Sequence, residues 1–293
     1  MKELYLQYKA LLFKIAYQLT GSAADAEDIV QDVFVKAYDI DPESIAEPKA
    51  YLCKMATNRS LDLLKSARKQ RERYVGPWLP EPIITEETDA LDAVIHHDLL
   101  SYAMLVLLER LTPSERAVFV LREALGFDYS DIAKLIEKSE VNCRKLLSRA
   151  RDKMGISEAE PVHAQPAGEE WVRRFVLELA EGNVKEVLSL LAEEVVLLSD
   201  GGGKVSAAIH PIKTRENVSR FLFGLVQKGP LADGSVKAEL RILNGQTGLV
   251  LRSDKGIEGV TLFHVVQGGA LHLYIVRNPD KLKLLKLYTG GSS

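Results

Sequence analysis

Between residues 139 and 154 the side chains have the types and spacing needed to read a nucleic-acid groove. Cys143, Leu147, Ala150 and Met154 fall at i, i+4, i+7 and i+11, so they share one helix face and turn it toward a core. At 100° per residue from Cys143, the side chains projecting away from that core are Val141, Asn142, Arg144, Lys145, Ser148 and Arg149. Arg and Lys can donate to guanine edges or to phosphate oxygens, and Val can touch a thymine methyl. The competing reading is a generic three-helix bundle with a basic solvent face. The short turn before this helix, and the placement of bases late in it, weigh against that reading. Cys143 is a small core residue in this pattern, not a reactive thiol.

Other residues capable of chemistry lie further along. His210, His264, His272 and Tyr274 are candidates for a proton-transferring base inside an apolar cavity. Strand alternation puts His264 with Val260, Leu262 and Val266, and His272 with Tyr274 and Val276. A lone histidine on an apolar strand face is more often a satisfied core residue than a base. No GxSxG, HExxH or paired-carboxylate signature accompanies them, so no catalytic residue is expected. Asp200-Gly-Gly-Gly-Lys204 invites comparison with a phosphate loop, but Val205 stands where Ser or Thr is required, and no Gly lies five positions before the last one. Three glycines more simply permit a tight, close-packed turn, which could present Asp200 and Lys204 to another domain. Trp78, in a proline-rich segment, is an apolar anchor with an N–H to satisfy. Cys53 and Cys143 have no CxxC or His-rich neighbourhood, so neither a disulfide framework, a metal site nor a cofactor is expected, and the pattern fits a reduced, cytoplasmic protein. The charged N-terminus is not a signal peptide, and the apolar runs are too short for a membrane segment.

The charge balance of the 293 residues, 38 basic against 41 acidic, argues at first against a nucleic-acid partner. Its distribution argues the reverse. Residues 20–47 hold eight acids against Lys36, a net of −7, and residues 54–73 hold seven bases against two acids, a net of +5. Residues 81–98 hold six acids and no base, and residues 138–153 hold six bases against two acids, a net of +4. Two basic stretches between acidic ones point to two contacts with a polyanion and an acidic surface for a different partner.

These residues must be positioned by at least two domains. Residues 1–72 read as all-helical. One helix stops at Gly21, a second starts at the capping-box-like Ser22-Ala-Ala-Asp25 and buries Ile29, Val30, Val33, Phe34 and Ala37, and a third runs from about Pro48 to Lys69, burying Leu52, Met55, Ala56, Leu63 and Ala67. Residues 73–92 form a linker broken by Gly76, Pro77, Pro80 and Pro82, with helix resuming near Asp89. Residues 93–155 form the helix-turn-helix domain, in which Thr112-Pro113-Ser114-Glu115 starts a helix, Asp128 caps the next and Ser139 caps the last. After a second linker at 156–168 the pattern changes. Residues 169–288 mix helices near 169–192 and 214–226 with strands at 194–199, 204–210, 235–243, 247–252, 259–267 and 271–277. Hairpins at Asn244-Gly245 and Gly268-Gly269 make this an α+β domain with a mostly antiparallel sheet.

On these residues the chain resembles a known family. Asp25-Ala-Glu-Asp-Ile-Val-Gln-Asp-Val-Phe34 is similar to the polymerase-binding helix of bacterial RNA polymerase sigma factors, and Tyr51-Leu-Cys-Lys-Met-Ala-Thr-Asn-Arg-Ser-Leu-Asp62 to their promoter −10 helix, with Thr57 where the family has an arginine. Leu111-Thr-Pro-Ser-Glu-Arg116 with Ser148-Arg-Ala-Arg151 is similar to the −35 domain. Trp78-Leu-Pro-Glu-Pro82, Asp200-Gly-Gly-Gly-Lys204 and Asn278-Pro-Asp-Lys-Leu282 resemble the extracytoplasmic-function (ECF) group with a fused SnoaL-like extension. The resemblance implies a multi-domain fold, two all-α domains followed by an α+β SnoaL-like cone, with core RNA polymerase and promoter DNA as partners.

It also implies roles for particular residues. Asp25, Glu27, Asp28, Gln31, Asp32 and Phe34 would meet core polymerase. Lys54, Lys65, Arg68, Lys69 and Arg71 would hold phosphates of the opened −10 strand, with Arg59 also on the DNA-binding face and Asn58 and Asp62 beside an unstacked base. The bland reading of Asp62 is an ion pair with Lys65 or Arg59. Trp78, Leu79, Pro80, Glu81 and Pro82, with Asp200, Gly201, Gly202, Gly203 and Lys204, and Asn278, Pro279, Asp280, Lys281 and Leu282, would form a regulatory contact of the tail with the linker and the sigma domains. Two other readings stay open: a ligand-sensing helix-turn-helix transcription factor, and a bifunctional protein with a cyclase or isomerase tail.

Overall fold

The computed structural model describes residues 2–38, 40, 46–71, 73–85, 99–157, 168–228, 231, 234–266 and 269–288. It divides into two compact units, Met1–Glu72 with Glu87–Ala164, and Arg73–Glu86 with Gln165–Ser293. The helix expected to resume near Asp89 and the turn residue Gly268 lie outside the described residues.

The first unit opens with α1 (Lys2–Thr20), α2 (Ala23–Tyr38) and α3 (Pro48–Arg71). Gly21, at φ +70°, ends α1, and the Ser22 hydroxyl accepts the Asp25 amide at 3.1 Å to start α2. Leu12, Ile15, Tyr17 and Leu19 of α1, Ile29 and Val33 of α2, and Leu52 and Ala56 of α3 are all buried, and the three helices pack on one another. The buried stripe of α3 is Leu52, Cys53, Ala56, Thr57, Ser60 and Leu64, whereas Met55, Leu63 and Ala67 are only half-buried. Met55, Leu63 and Ala67 fall at the borders of that stripe, where packing against the neighbouring helices is incomplete.

A second helical group completes the unit: α4 (Tyr102–Leu107) with a 3-10 turn at Leu108–Arg110, α5 (Pro113–Phe119) running into a π turn at Val120–Ala124, α6 (Tyr129–Leu135) and α7 (Glu140–Met154). Thr112 and Glu115 close a reciprocal capping box. Asp128 occupies the cap position of α6 without capping it; its carboxylate turns to Arg122 at 3.3 Å. The Ser139 hydroxyl accepts the Asn142 amide at 3.3 Å, so α7 begins as expected.

The second unit places α8 (Glu169–Ala180), α9 (Val184–Ser189) and α10 (Arg215–Lys228) on one face of a six-stranded sheet. Its strands are β1 (Leu191–Asp200), β2 (Ile212–Lys213), β3 (Val236–Leu243), β4 (Gln246–Ser253), β5 (Gly256–Val266) and β6 (Gly269–Val276), in the order β2-β1-β6-β5-β4-β3. Only β1 and β6 run parallel. Val172, Phe175, Val195, Leu197, Leu222, Phe263 and Leu273 form the core between sheet and helices. Asn244 and Gly245, at φ +50° and +72°, make the tight β3–β4 hairpin. A short 3-10 turn, Pro279–Leu282, and α11 (Lys283–Tyr288) follow the sheet.

Residues 204–210 are a turn and loop and not a strand, which corrects the alternation reading. After the glycine turn the chain leaves the sheet and passes residues 75 and 76 of its own unit: Gly203 lies against Val75 and Gly76 against Ile209. The apolar residues of that alternation are not covered by a sheet: Val205 and Ile209 are 37% and 56% exposed.

Lys153 of α7 reaches Glu115 at 2.7 Å, tying the end of the last helix to the start of α5. Burial pushes the Glu115 carboxyl up, but Lys153 and the Thr112 cap outweigh it and hold it below the usual glutamate range. A lowered folded-state pKa gives stability that is complete above the ordinary glutamate value and fades as pH falls through the lowered one. Lys153→Met should therefore cost about 0.5–1 kcal/mol near neutral pH, given the half-exposed ammonium. Helix unfolding followed by circular dichroism should show that difference closing below the ordinary glutamate range, and a difference independent of pH would contradict the assignment.

Candidate functional site

The outer face of α7 carries the expected set. Val141, Asn142, Arg144, Lys145, Ser148 and Arg149 are all exposed, while Cys143, Leu146, Leu147, Ala150 and Met154 are buried. Arg144 is restrained rather than loose: its guanidinium lies 4.1 Å from the centre of the Tyr129 ring and 3.6 Å from Glu140. Tyr129, whose ring also receives Arg122 at 5.0 Å, was not singled out from sequence, because aromatic stacking across a turn has no periodic signal. A guanidinium held over a ring has fewer orientations to lose when it forms a two-pronged hydrogen bond. Lys145 and Arg149 form no ion pair with a described residue, which leaves them available to phosphates.

On α3 the basic face is tethered by neighbouring acids. Arg59 pairs with Asp32 of α2 at 3.2 Å, Lys65 with Asp62 at 3.0 Å, and Lys54 with Glu137, in the turn before α7, at 2.9 Å. The local ion pair foreseen as the bland reading of Asp62 is thus present. Asn58 is half-exposed between them. Thr57 is fully buried, its hydroxyl without a partner among the described residues, so position 57 faces the core of the bundle. The side chains of Arg68 and Lys69 lie outside the described residues. Arg71 needs correcting as a free phosphate contact. It donates to the Thr20 carbonyl at 2.9 Å and pairs with Glu109, which also pairs with the buried Arg116.

On α2, Asp28 and Gln31 are exposed and Asp25, Glu27 and Asp32 half-exposed. Burial, reinforced by the neighbouring Asp28, pushes the Asp25 and Glu27 carboxyls above their ordinary values. Phe34 does not stand on that surface: it is 8% exposed and packs edge-on against Tyr5 at 4.9 Å. Its place outside is taken by Val35 and Tyr38, 70% and 75% exposed.

In the second unit the three short motifs of the linker and tail come together around one carboxylate. Asp200 has no exposed surface. It accepts the Tyr74 hydroxyl at 2.6 Å, the Leu79 amide at 2.9 Å, the Gly202 amide at 3.0 Å and the Lys281 ammonium at 2.7 Å. Lys281, itself buried, also donates to the Leu79 carbonyl and lies under the Trp78 ring, 3.8 Å from its centre. Asn278 donates to the Tyr74 hydroxyl at 2.8 Å and caps the turn through the Asp280 amide. Burial and the Asp200 carboxylate push the Tyr74 phenol far above its ordinary pKa. Gly202, at φ +59°, lies where any Cβ would collide with Asn278.

Leu79 and Pro80 are the buried anchors here, with Pro82 beside them, while Trp78 and Glu81 are half-buried; Trp78 is a lid on Lys281 more than a plug. Asp200 faces inward and Lys204 pairs with Asp280 of the same unit, which corrects the expectation that the glycine turn presents them outward. Pro279 starts the 3-10 turn and Leu282 is buried beneath it. Further along, the Thr85 amide donates to the Ile242 carbonyl at 2.9 Å, and Ile83 and Asn244 exchange bonds at 2.9 and 3.1 Å, so residues 83–85 extend the edge strand β3.

The histidines considered as bases are arranged otherwise. His210 is exposed in the loop after the glycine turn. His264 and His272 meet Nδ1 to Nδ1 at 3.3 Å across β5 and β6, and burial pulls the His264 pKa down. Among the described residues no cluster of three or more metal-ligating side chains occurs, and no helix is long and apolar enough to cross a membrane.

Comparison with known proteins covers both the helical unit and the tail. The Sigma-70 region 2 family matches residues 4–70 and the Sigma-70 region 4 family residues 101–154. The chain is 36% identical over 284 residues to the ECF RNA polymerase sigma factor SigJ of Mycobacterium tuberculosis, covering 92% of this chain and 89% of that protein. It is 28% identical over 292 residues to the probable ECF sigma factor SigI of the same species, covering 97% and 95%. The crystal structure of M. tuberculosis SigJ superposes with a TM-score of 0.80 at 33% identity, over 97% of this chain and 98% of that one.

The buried Asp200–Lys281 pair makes a sharp expectation. Lys281→Met should strand a carboxylate with no exposed surface and destabilise the second unit by about 3–5 kcal/mol. The tryptophans Trp78 and Trp171 both lie in this unit, so thermal unfolding followed by their fluorescence reports it directly. A loss below about 1 kcal/mol, the range of exposed pairs, would show that the pair is not a structural centre.

Proposed function

Because the chain belongs to the extracytoplasmic-function (ECF) RNA polymerase sigma factors, we propose that its two helical groups divide promoter recognition between α3 and α7 and that its tail regulates them through the linker. As an alternative sigma factor it works with core RNA polymerase on promoter DNA. The outer face of α2, with Asp28 and Gln31 exposed and Asp25, Glu27 and Asp32 at its edge, is the polymerase contact in this reading. The Lys54–Lys65 stretch of α3 lies along the −10 strand, and Asn58 and Asp62 stand beside its unstacked base. The exposed face of α7 reads the −35 duplex in the major groove. The tail contributes no chemistry in this reading; it is a built-in regulator.

The single observation that supports regulation through the linker is the capture of residues 74–79 by Asp200 and Lys281. The linker is the covalent connection between the two promoter-binding groups. Two modest DNA contacts joined by a connector gain from each other only when the connector lets both engage at once. A tail that holds half of the connector in one shape sets which separations are reachable. The modest net charge of the chain, −3, fits a factor that should not coat DNA unaided.

Run-off transcription with core polymerase tests this reading. The full chain should yield a promoter-specific transcript. On templates carrying single −35 substitutions, Arg144→Ala should lose discrimination at one base pair, worth about 1–3 kcal/mol for a two-pronged contact. An equal loss on every template would make Arg144 a phosphate contact only. No promoter-specific transcript from the wild-type chain would sink the promoter-recognition reading.

A further inference from the structure

We propose that Tyr129 is a positioning residue for sequence discrimination by α7: its ring holds the Arg144 guanidinium so that the N–H edges face a base pair, and Tyr129 acts through Arg144 without reading a base itself. This rests on the promoter-recognition reading above and names the residue from which that face draws its preference. Tyr129 is the first residue of α6, and Arg144 stands in the second turn of α7, so the contact bridges the two helices of the helix-turn-helix. The guanidinium carbon lies over the ring, 4.1 Å from its centre. The ring is itself braced. Arg122, in the π turn after α5, lies 5.0 Å from the ring centre and donates to the Phe127 carbonyl at 2.9 Å and to the Asp128 carboxylate at 3.3 Å. Those are the two residues immediately before Tyr129. Behind it, Ile132 and Leu135 bury the other face of α6, and the Ile132 amide donates to the Asp128 carbonyl at 2.9 Å. The half-buried ring therefore stands on a turn fixed from both sides.

Two groups hold Arg144, and they differ in what they leave free. Glu140, one turn earlier on α7, meets it at 3.6 Å in an exposed pair. A carboxylate occupies in-plane N–H groups, the same ones that a guanine edge or a phosphate needs. A ring engages only the face of the guanidinium and leaves its five N–H donors in plane. The exposed i, i+4 pair is weak and is screened by salt. Without the ring, a long exposed arginine samples many rotamers and meets phosphates and bases alike. With it, the cation has a fixed plane and a fixed direction, which a two-pronged contact to one base pair requires. The ring thus turns a general attraction for DNA into a preference.

Transcription by the full chain with core polymerase, on templates carrying single −35 substitutions, gives the discrimination at each base pair as a ratio. Tyr129→Phe should keep the wild-type ratios, because the ring remains. Phenylalanine carrying one, two and then three fluorines at position 129 keeps nearly the same shape and drains the negative face of the ring. Discrimination should fall with each fluorine at the base pair that Arg144→Ala affects, and at no other. Tyr129→Leu should lower it there by about two- to thirtyfold, the span of a cation–π contact. Added to Arg144→Ala, it should change nothing further. If Tyr129→Leu loses helicity by circular dichroism, the fluorinated series decides alone. Ratios indifferent to fluorine would overturn the proposal, and so would a loss spread equally over all templates, the mark of a structural ring. A loss in Tyr129→Phe as large as in Tyr129→Leu would assign the effect to the hydroxyl and overturn it too. Arg144→Ala with every ratio intact is a different failure: it would overturn the promoter-recognition reading at α7 and take the role of Tyr129 with it.

Discussion

A carboxylate removed from water must be met by donors on every side, and in this protein that requirement brings distant parts of the chain together. Asp200 is met by a phenol and an amide from residues 74–79, by the amide of its own glycine turn, and by an ammonium from residue 281. Each partner imposes a further condition. The glycine turn must be free of Cβ atoms to admit Asn278, the 278–282 turn must be capped to aim Lys281, and Trp78 must cover the ammonium to keep water out. A buried ion pair stabilises only when such bonds complete it. Here they do, and the consequence is that the first half of the connector is structurally part of the tail.

The same logic, run with exposed charges, governs the helical unit. Among the described residues, three basic side chains of α3 meet acids in exposed pairs, Arg59 with Asp32, Lys65 with Asp62 and Lys54 with Glu137, while Arg71 meets Glu109 in a largely buried one. The exposed pairs are individually weak. The α7 face differs. Lys145 and Arg149 form no ion pair with a described residue, and Arg144 is posed on Tyr129.

Much of this was legible in the sequence, for local reasons. Caps at Ser22, Thr112 and Ser139 act over three residues, and the α7 faces follow from a fixed 100° rotation, so both were readable without tertiary knowledge. Asn244-Gly245 needed only its own backbone preferences. Four features were not readable. Phe34 and Thr57 turned inward because helix packing, not composition, decides which residues at the edge of a stripe are covered. Arg71 looked like any other base of its run, since the Glu109 that captures it is 38 residues away. Residues 204–210 alternate like a strand but form a loop in which Val205 and Ile209 stay exposed and Gly76 approaches Ile209. The inward direction of Asp200 was hidden for the same reason: its partners lie 121, 126 and 81 residues distant in the chain.

The central claim is that capture of residues 74–79 by Asp200 fixes the reach between the two promoter-binding groups. Transcription from templates whose −35 to −10 spacing is varied in single base pairs measures that reach. With core polymerase, the wild-type chain should work over a narrow range of spacings, and Asp200→Asn, which weakens the hold on Lys281 and the linker, should broaden it. An Asp200→Asn chain that releases the linker, seen as faster hydrogen exchange at the Leu79 amide, yet keeps the same narrow range would contradict the account.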